Sequence, residues 1–379
     1  MRKYLPFFLS VFFFISFLSA NAAIRRVGYA APVPSVTGLD YINFQAAHDA
    51  SNNGDTIQLY ATTNGTVTYT GTVTKPLVII GPGYFTNSYY LTGTEIPNSN
   101  LTNMAGSMAS CTFSIDLGSR GTIFTGINNL NLITIDRVDS LNDINISRCR
   151  NVNVSFTNSG KCNNWLIAQC YGVSISQSGY SPSFILDRTI DNLSIQNSVL
   201  FSAIALNTSP TGTYSGNSIY NCNFLSGASL ALNNAGFKIQ NCIFETQSFT
   251  GITNVVFIKN MTTSVATGNV ITNTGLNSGN TYAANLSNIY VGYPINPLVS
   301  GLNTYSPDNR FQLKAASPAI NAGFIPGTST VTNSGIYGGN NAYIVSGMPP
   351  IPAVYQLGAP STITTGSNYT LTFSIRSNN

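Results

Sequence analysis

Nine charged residues in the middle of the chain are the strongest candidates for chemistry. They fall in two groups, within residues 136–150 and within residues 187–191. Carboxylates can ligate a hard cation or transfer protons, and a guanidinium can bind an anion. The alternative, which we favour, is that they are surface ion pairs and turn residues that each contribute little. The residues are Asp136, Arg137, Asp139, Asp143, Arg148, Arg150, Asp187, Arg188 and Asp191.

Other reactive groups are sparse, since the chain has 12 acidic residues and one histidine. That histidine, His48, lies in a segment of helical character and is interpreted as a hydrogen-bonded structural residue, not a catalyst. Tyrosines offer a second route to sugars, because a flat ring can stack on a sugar and its hydroxyl can hydrogen-bond at the rim. The alternative is that most of them are structural. Those in or near predicted loops are Tyr171, Tyr180, Tyr214, Tyr220, Tyr282, Tyr290 and Tyr293.

The composition restricts the class of protein that could carry these groups. Only 7% of the residues are charged, 43% are hydrophobic and the formal net charge is +4. A disordered chain is usually rich in charge and poor in aromatic residues, so disorder is excluded. The near-zero charge without basic runs gives no electrostatic basis for nucleic-acid binding. A surface of Asn, Ser, Thr and Gly favours strands and turns.

Residues 1–22 have the pattern of a cleaved secretory signal peptide. Arg2 and Lys3 precede an apolar run that ends at Leu18, and Ala20-Asn21-Ala22 is a small-residue cleavage site. The alternative is a membrane anchor, but the run is shorter than the roughly 20 apolar residues that a spanning helix needs. No cysteine stands at the cleavage position and no later segment is apolar enough to span. We therefore predict a soluble protein that is secreted or held at the outer cell surface.

An internal repeat of seven units is the main organisational feature. Each unit has an isoleucine, a variable residue, a polar residue that is Asn in five of seven units, and a small or sulfur-bearing apolar residue. The isoleucines recur at intervals of 19, 21, 28, 24, 20 and 19 residues. The units are Ile127-Asn128-Asn129-Leu130, Ile146-Ser147-Arg148-Cys149, Ile167-Ala168-Gln169-Cys170, Ile195-Gln196-Asn197-Ser198, Ile219-Tyr220-Asn221-Cys222, Ile239-Gln240-Asn241-Cys242 and Ile258-Lys259-Asn260-Met261.

A period near 20 with β-branched anchors predicts one coil of a parallel β-helix. Leucine-rich repeats share the period but need a leucine consensus that is absent here. Equivalent residues of adjacent coils stack about 4.8 Å apart, so the isoleucines and the fourth-position residues should form interior columns. Four cysteines are then buried, unpaired packing residues, since same-column positions do not suit a standard disulfide. They are Cys149, Cys170, Cys222 and Cys242, while Cys111 and Cys162 lie outside the column and stay unassigned.

The asparagine column should occupy the turn after each strand. Asn tolerates the left-handed backbone, and stacked amides can hydrogen-bond to one another. The longer intervals imply extra residues that bulge as loops on one face, where repeat proteins often bind ligands. We assign Ser176 to Pro182 and Thr208 to Ser215 to these loops.

Two end segments carry a family resemblance. Residues 41–50 have helical character, with Asp40 as a candidate N-cap. The run Phe44 to Ala50, followed by Asn53 to Leu59, resembles the capping helix and first coil of secreted right-handed parallel β-helix proteins, the pectate-lyase-like superfamily. Leu313 to Gly323, with Gly335 to Gly339, is similar to the ending of the same family. Tyr343 to Pro352 resembles a segment of uncharacterised secreted β-helix proteins of Bacteroidota.

The resemblance implies an all-β, right-handed parallel β-helix with an N-terminal capping helix. We assign residues 23–340 to this solenoid and 341–379 to a Pro-rich link with a small C-terminal β module. That module would serve as an attachment or sorting device or, as we favour, as a lid on the last coil. The strand pattern over Tyr369 to Ile375 alternates apolar and polar residues, as a half-buried strand should.

The resemblance also implies chemistry, which fold alone does not license. Polysaccharide lyases of this fold use carboxylates to hold Ca²⁺ and an Arg or Lys as base. The matching roles here would be Asp136, Asp139 and Asp187 as Ca²⁺ ligands, with Arg188 or Arg148 as base. An arginine base needs a strongly lowered pKa, which exposed neighbours do not provide.

A complete catalytic set is missing from the sequence, because the paired aspartates with Gly-His-Gly of the family's hydrolases are absent. The leading hypothesis is therefore a non-enzymatic extracellular or cell-surface binding or adhesion scaffold, with an extracellular polysaccharide or surface glycan as ligand. The alternative is a Ca²⁺-dependent lyase of an anionic polysaccharide. The oligomeric state is left open.

Overall fold

The computed structural model describes most of the chain. The described ranges are residues 22–28, 38–60, 68–84, 110–134, 141–157, 162–178, 190–207, 216–233, 236–246, 248–265, 270–293, 308–347, 353–358 and 372–376. The predicted signal peptide therefore lies outside them, except for residue 22. Within these ranges, no helix has the length and hydropathy needed to cross a membrane.

The described residues contain thirty short strands and few helices. The helices are α1 Phe44–Ala50 and α2 Leu286–Ile289, with single 3₁₀ turns at Leu117–Ser119, Asn309–Phe311 and Val345–Gly347. In chain order the strands are β1 Ile24–Val27, β2 Asp40–Tyr41, β3 Thr56–Leu59, β4 Tyr69–Val73, β5 Val78–Ile80, β6 Cys111–Ile115, β7 Ile123–Thr125, β8 Leu130–Thr134, β9 Leu141–Asn142, β10 Asn145–Ser147, β11 Arg150–Thr157, β12 Cys162–Asn163, β13 Leu166–Ala168, β14 Tyr171–Ser178, β15 Ile190–Asp191, β16 Ser194–Gln196, β17 Val199–Leu200, β18 Ala203–Asn207, β19 Ser218–Tyr220, β20 Asn223–Phe224, β21 Ser229–Asn233, β22 Lys238–Gln240, β23 Ile243–Phe244, β24 Phe249–Thr250, β25 Val256–Ile258, β26 Met261–Thr262, β27 Gly323–Phe324, β28 Val331–Thr332, β29 Ala353–Gly358 and β30 Thr372–Arg376.

Three parallel sheets run along the molecule. The first sheet has eleven strands in the order β2-β1-β3-β5-β7-β10-β13-β16-β19-β22-β25. The second has twelve, with β26-β23-β20-β17-β14-β11-β8-β6-β4 as its main path and β18, β21 and β24 beside it. The third is β15-β12-β9. Successive coils contribute strands to the first and second sheets, and three of them also contribute to the third, so the molecule is a parallel β-helix, right-handed as crossovers between parallel strands almost always are.

The predicted isoleucine column is confirmed for five of its seven members. Ile146, Ile167, Ile195, Ile219 and Ile239 pair in register along the first sheet, and each is fully buried. Their side chains point inward, so the residues on either side of each one point out. The sheet therefore has one buried face and one outer face.

The alignment of the first and last units was wrong. Phe124, not Ile127, pairs with Ile146, and Phe257, not Ile258, pairs with Ile239. Aromatic residues fill the isoleucine position in these coils, so a search for isoleucine shifts the register, by three residues in the first unit and by one in the last. Ile127 instead continues the inward column of cysteines, since Asn128 bridges to Arg150.

The predicted thiol column is confirmed. Cys149, Cys170, Cys222 and Cys242 are unpaired and have no solvent exposure. Cys111 and Cys162, which the sequence left unassigned, are also unpaired and buried, and burial raises the pKa of both thiols to about 12. A protonated, buried thiol is chemically inert.

Thiol titration tests this packing. Native protein should react with none of its six cysteines, and denatured protein without reductant should show six free thiols. Reaction of the native protein would contradict the burial, and fewer than six thiols after denaturation would mean that disulfides form.

The capping helix is shorter than predicted. It spans Phe44–Ala50 and its N-cap is Asn43, whose side-chain oxygen accepts from the Ala46 amide at 2.9 Å. Asp40, the predicted N-cap, lies in β2 and binds the Arg26 guanidinium at 2.6 Å. The interpretation of His48 is confirmed, because it is only 2% exposed and its Nε2 accepts from the Thr74 amide at 3.0 Å.

A buried carboxylate fixes the start of the first coil. Asp55 accepts hydrogen bonds from the backbone amides of Ala23 and Asn52 at 2.8 and 2.9 Å, and Arg25 lies 3.3 Å away. Burial by itself raises the pKa of Asp55, but these bonds outweigh it and hold the pKa below its ordinary value. The pKa of Asp55 is thus lower in the folded protein than in the unfolded one. Its ionised form therefore stabilises the fold at pH values above the unfolded-state pKa, and this stabilisation is lost as the pH falls through the folded-state pKa.

Replacing Asp55 by asparagine should therefore make the free energy of unfolding depend less on pH at acidic pH. Wild-type protein should lose stability below about pH 4, while Asp55→Asn should be less stable at neutral pH and change less on acidification. Denaturant midpoints measured across this range check the prediction. Parallel profiles for the two proteins would contradict it.

Candidate binding surface

Turn residues with left-handed backbone connect the first sheet to the second. The predicted asparagines hold this position in three coils, at Asn197, Asn221 and Asn241, with φ of 46°, 53° and 58°. The other coils use Gly126, Arg148, Gln169 and Lys259, all with positive φ. Asn129 and Asn260 were misplaced by the register error, although Asn129 has the predicted left-handed backbone, with φ of 50°, and its Oδ1 accepts from Asn151 Nδ2 at 2.7 Å. Asn260 has no exposure and lies in the cysteine column, where its Oδ1 accepts from the Cys242 amide at 2.9 Å.

The predicted amide stacking is present along these turns. Asn241 Nδ2 donates to Asn221 Oδ1 at 3.0 Å, and Arg148 Nε donates to Gln169 Oε1 at 3.0 Å. The same side-chain amides also hydrogen-bond to a later part of the chain, which the sequence did not reveal. That part is residues 308–347, which we call the strap.

The strap runs back along the turns, from late coils toward early ones. Asn241 Nδ2 donates to the Phe324 carbonyl at 2.7 Å, and Asn197 Nδ2 donates to the Gly338 carbonyl at 2.6 Å. Gln169 Nε2 donates to Asn341 Oδ1 at 3.0 Å. Residues 341–347, which the sequence assigned to the C-terminal module, thus contact the side of the β-helix. Strands β29 and β30 form an antiparallel pair.

A buried hydrogen-bond network joins the two ends of the strap to each other and to Tyr84 of the β-helix. Asp308 has no exposure and accepts from the Tyr343 hydroxyl at 3.0 Å, and that hydroxyl lies 2.5 Å from the Tyr84 hydroxyl. Burial is the main cause that raises the pKa of both tyrosines well above the ordinary value. No sequence signal marked these residues, because they come from three distant segments. Full burial keeps a polymer away from them, so we interpret the network as structural.

Only some of the charged candidates fall within the described residues. Asp143 has a left-handed backbone and its Oδ1 accepts from Asn164 Nδ2 at 3.1 Å, so it belongs to a second turn ladder between the third and first sheets. Asp191 lies in β15, beside that ladder. Arg148 bonds Gln169, and burial lowers the pKa of its guanidinium below the ordinary value. Asp136, Arg137, Asp139, Asp187 and Arg188 lie outside the described ranges.

A calcium site cannot be built from the described side chains. Among them, no three residues of the His, Cys, Asp and Glu types come close enough to hold a metal ion. All three predicted ligands, Asp136, Asp139 and Asp187, are outside the described ranges. The Ca²⁺ site therefore stays a sequence-based prediction.

The outer face of the first sheet carries polar side chains on three neighbouring strands. Strands β16, β19 and β22 each place two side chains outward, on either side of the buried isoleucine. We call these six residues the outer strip: Ser194, Gln196, Ser218, Tyr220, Lys238 and Gln240. Ser218 and Gln240 are only 5% and 4% exposed, so the groups accessible to a ligand are those of Ser194, Gln196, Tyr220 and Lys238. The outer strip combines hydroxyls, amides, one aromatic ring and one amine, and it contains no carboxylate.

Hydrogen bonds fix the outer strip in place. Gln196 Nε2 donates to Ser194 Oγ at 2.8 Å, and Ser194 Oγ lies 2.9 Å from Ser218 Oγ on the next coil. Gln240 Nε2 donates to the Phe324 carbonyl of the strap at 3.0 Å. Burial raises the pKa of the half-buried Tyr220, against a hydrogen bond with Ser218 that lowers it. The groups are therefore pre-positioned, which lowers the entropy cost of binding.

The other tyrosine candidates are less suited to a ligand. Tyr290 is 2% exposed and packs edge-on against Phe311. Tyr171 is half-buried beside Phe201, with 5.4 Å between ring centroids. Tyr180 and Tyr214 lie outside the described ranges. Among the described tyrosines that the sequence singled out, Tyr220 is the one on the outer strip.

The fold and the outer strip define a parallel β-helix protein whose outer face carries hydroxyls, amides and a single amine. No protein-family model matches the chain, and no curated protein matches its sequence. Among solved structures, the chain is similar to the crystal structure of pectate lyase Pel9A. The two share 13% sequence identity with a TM-score of 0.35, over 86% of this chain and 99% of that one. Coil stacking alone can produce such a likeness, since the repeated coil dominates any superposition of two solenoids.

Proposed function

We propose that the protein is an exported β-helix scaffold that binds carbohydrate on the outer strip without cleaving it. The carrying observation is the strip itself, where the accessible polar side chains Gln196, Tyr220 and Lys238 lie on three neighbouring strands of one face. A polysaccharide presents a row of hydroxyls and flat ring faces. An extended ligand would therefore meet hydrogen-bonding partners on successive coils and the Tyr220 ring on the middle one.

The described carboxylates support binding in preference to catalysis, because several already serve the fold. Asp40 pairs with Arg26, and Asp55 accepts the amides of the first coil. Asp116 accepts from the Leu117 amide at 2.7 Å, and Glu245 accepts from the Ser226 amide at 3.0 Å. A carboxylate whose oxygens already hold a backbone amide or a guanidinium of the fold is less available to a ligand.

Replacing Tyr220 by alanine tests the outer strip. Wild-type protein should bind at least one member of a panel of pectic, alginate and glycosaminoglycan polysaccharides. Tyr220→Ala should weaken that binding about tenfold, as expected for loss of a central aromatic contact. Affinity electrophoresis or calorimetry measures the change. Tyr282→Ala is the matched control, since Tyr282 is also half-buried but lies beyond the last strand of the first sheet, and it should bind as wild type does.

The same panel distinguishes binding from cleavage. Each polysaccharide is incubated with and without Ca²⁺, and the absorbance of unsaturated product is followed. No product is expected. Product formation that disappears in Asp187→Ala or Arg188→Ala would overturn the proposal in favour of a polysaccharide lyase. A panel that shows neither binding nor cleavage would overturn it in favour of a non-carbohydrate partner.

A further inference from the structure

The seam between the strap and the second sheet is mainly apolar. Outward-facing Val199, Ile243 and Met261 of the second sheet pack against residues of the strap and of α2. Strap residues in this cluster include Phe311, Ala319 and Ile336. Such a seam excludes bulk water, so any polar group within it needs a partner inside the protein.

Two side chains on opposite sides of the seam have polar atoms without such a partner. Asn223 is 1% exposed, and neither its Oδ1 nor its Nδ2 has a hydrogen-bond partner among the described residues. Ser334 has no exposure, and its Oγ is likewise unpartnered. The Tyr337 hydroxyl, three residues further along the strap, also has no hydrogen-bond partner among the described residues. An unpartnered buried group is costly, and three of them in one seam call for a ligand.

The strap brings Asn223 and Ser334 to the same place. Gly335 follows Ser334 and has φ of +80°, and a Cβ added there would lie 2.6 Å from Asn223 Oδ1. The Gly335 amide donates to the Asn241 carbonyl at 2.8 Å, while the Ser334 amide donates to the Ala319 carbonyl at 2.8 Å. Backbone bonds therefore fix Gly335 against the Asn223 amide, with Ser334 next to it in the chain. Their position does not depend on the unpartnered side-chain atoms.

We infer that an internal water molecule binds in this seam, between the Asn223 amide and the Ser334 hydroxyl. A water molecule has two donors and two acceptor positions, which match an amide that both donates and accepts and a hydroxyl that does the same. Both side chains are neutral, so a neutral ligand fits better than an ion. The water would bridge the second sheet to the strap and would add a polar contact to an otherwise apolar seam.

A high-resolution crystal structure tests the inference directly. A density peak is expected within about 3 Å of the Asn223 amide and of Ser334 Oγ. In Ser334→Ala the peak should weaken or disappear while the strap stays in place. Well-ordered Asn223 and Ser334 side chains that bond each other directly, or that have no peak between them, would overturn it.

The melting temperature gives a second readout. If water satisfies the amide, Asn223→Leu removes hydrogen bonds and should lower the Tm by about 2 °C. If the amide is truly unpartnered, the same change replaces a costly group with an apolar one of similar size and should raise the Tm. Ile243→Leu, at the neighbouring position in the same column, controls for the shape of leucine. A raised Tm for Asn223→Leu alone would contradict the water site.

Discussion

Asn241→Val is expected to lower the free energy of unfolding by about 4 kcal/mol. Asn241 has φ of +58°, a conformation that a β-branched residue adopts only with strain. Its amide also makes three contacts, to Asn221 Oδ1, to the Phe324 carbonyl and from the Phe324 amide. Valine adds the strain and leaves these buried partners unsatisfied, so the two costs combine.

Two other variants separate the contributions. Asn241→Gly accepts the left-handed backbone but loses the side-chain bonds, so it should cost less than valine. Asn254→Val places the same residue at an exposed position with φ of 56° and so carries the backbone strain alone. Chemical denaturation of the three proteins gives the comparison. Equal losses for Asn241→Val and Asn254→Val would show that the strap contacts contribute nothing.

Tyr343→Phe is expected to cost about 3 kcal/mol, even though only one oxygen atom is removed. The hydroxyl donates to the fully buried Asp308 carboxylate at 3.0 Å and also meets the Tyr84 hydroxyl. The Tyr343 hydroxyl joins two other buried polar groups, and a buried polar group that loses a hydrogen bond keeps its desolvation cost. The strap should therefore loosen.

Tyr84→Phe is the matched control for this prediction. It removes the hydroxyl at the other end of the 2.5 Å contact but keeps the bond between Tyr343 and Asp308. Its cost should be about 1 kcal/mol, the net value of a neutral hydrogen bond. Amide hydrogen exchange across residues 308–347 should speed up in Tyr343→Phe more than in Tyr84→Phe. The reverse order would mean that the bond between Tyr343 and Asp308 does not stabilise the strap.

The fold was predictable from local pattern because a solenoid is built from contacts between neighbouring coils. Each coil repeats a similar sequence unit, so the columns of Ile146, Ile167 and Ile195 follow from spacing alone. The ends of the array were predicted less well. There an aromatic residue replaces isoleucine, as at Phe124 and Phe257. Any large apolar side chain can fill this interior position, so a search for isoleucine alone misses the register.

The candidate site was only partly predictable. Tyr220 was identified as a sugar-stacking candidate from its ring and its place near a predicted loop, and the structure places it on the outer strip. The companion groups Ser194, Ser218 and Lys238 carried no individual signal. They form a surface only because strand register brings them onto adjacent coils.

The sequence by itself determined the parallel β-helix, the interior thiols and the left-handed turns at Asn197, Asn221 and Asn241. These depend on side-chain type at a fixed period, which short-range stacking converts directly into structure. The tertiary structure alone decided the course of the strap, the buried chain of hydrogen bonds from Asp308 through Tyr343 to Tyr84, and the outward surface of the first sheet. Those features join segments far apart in the chain, and no local pattern specifies which distant carbonyls will satisfy a row of amides.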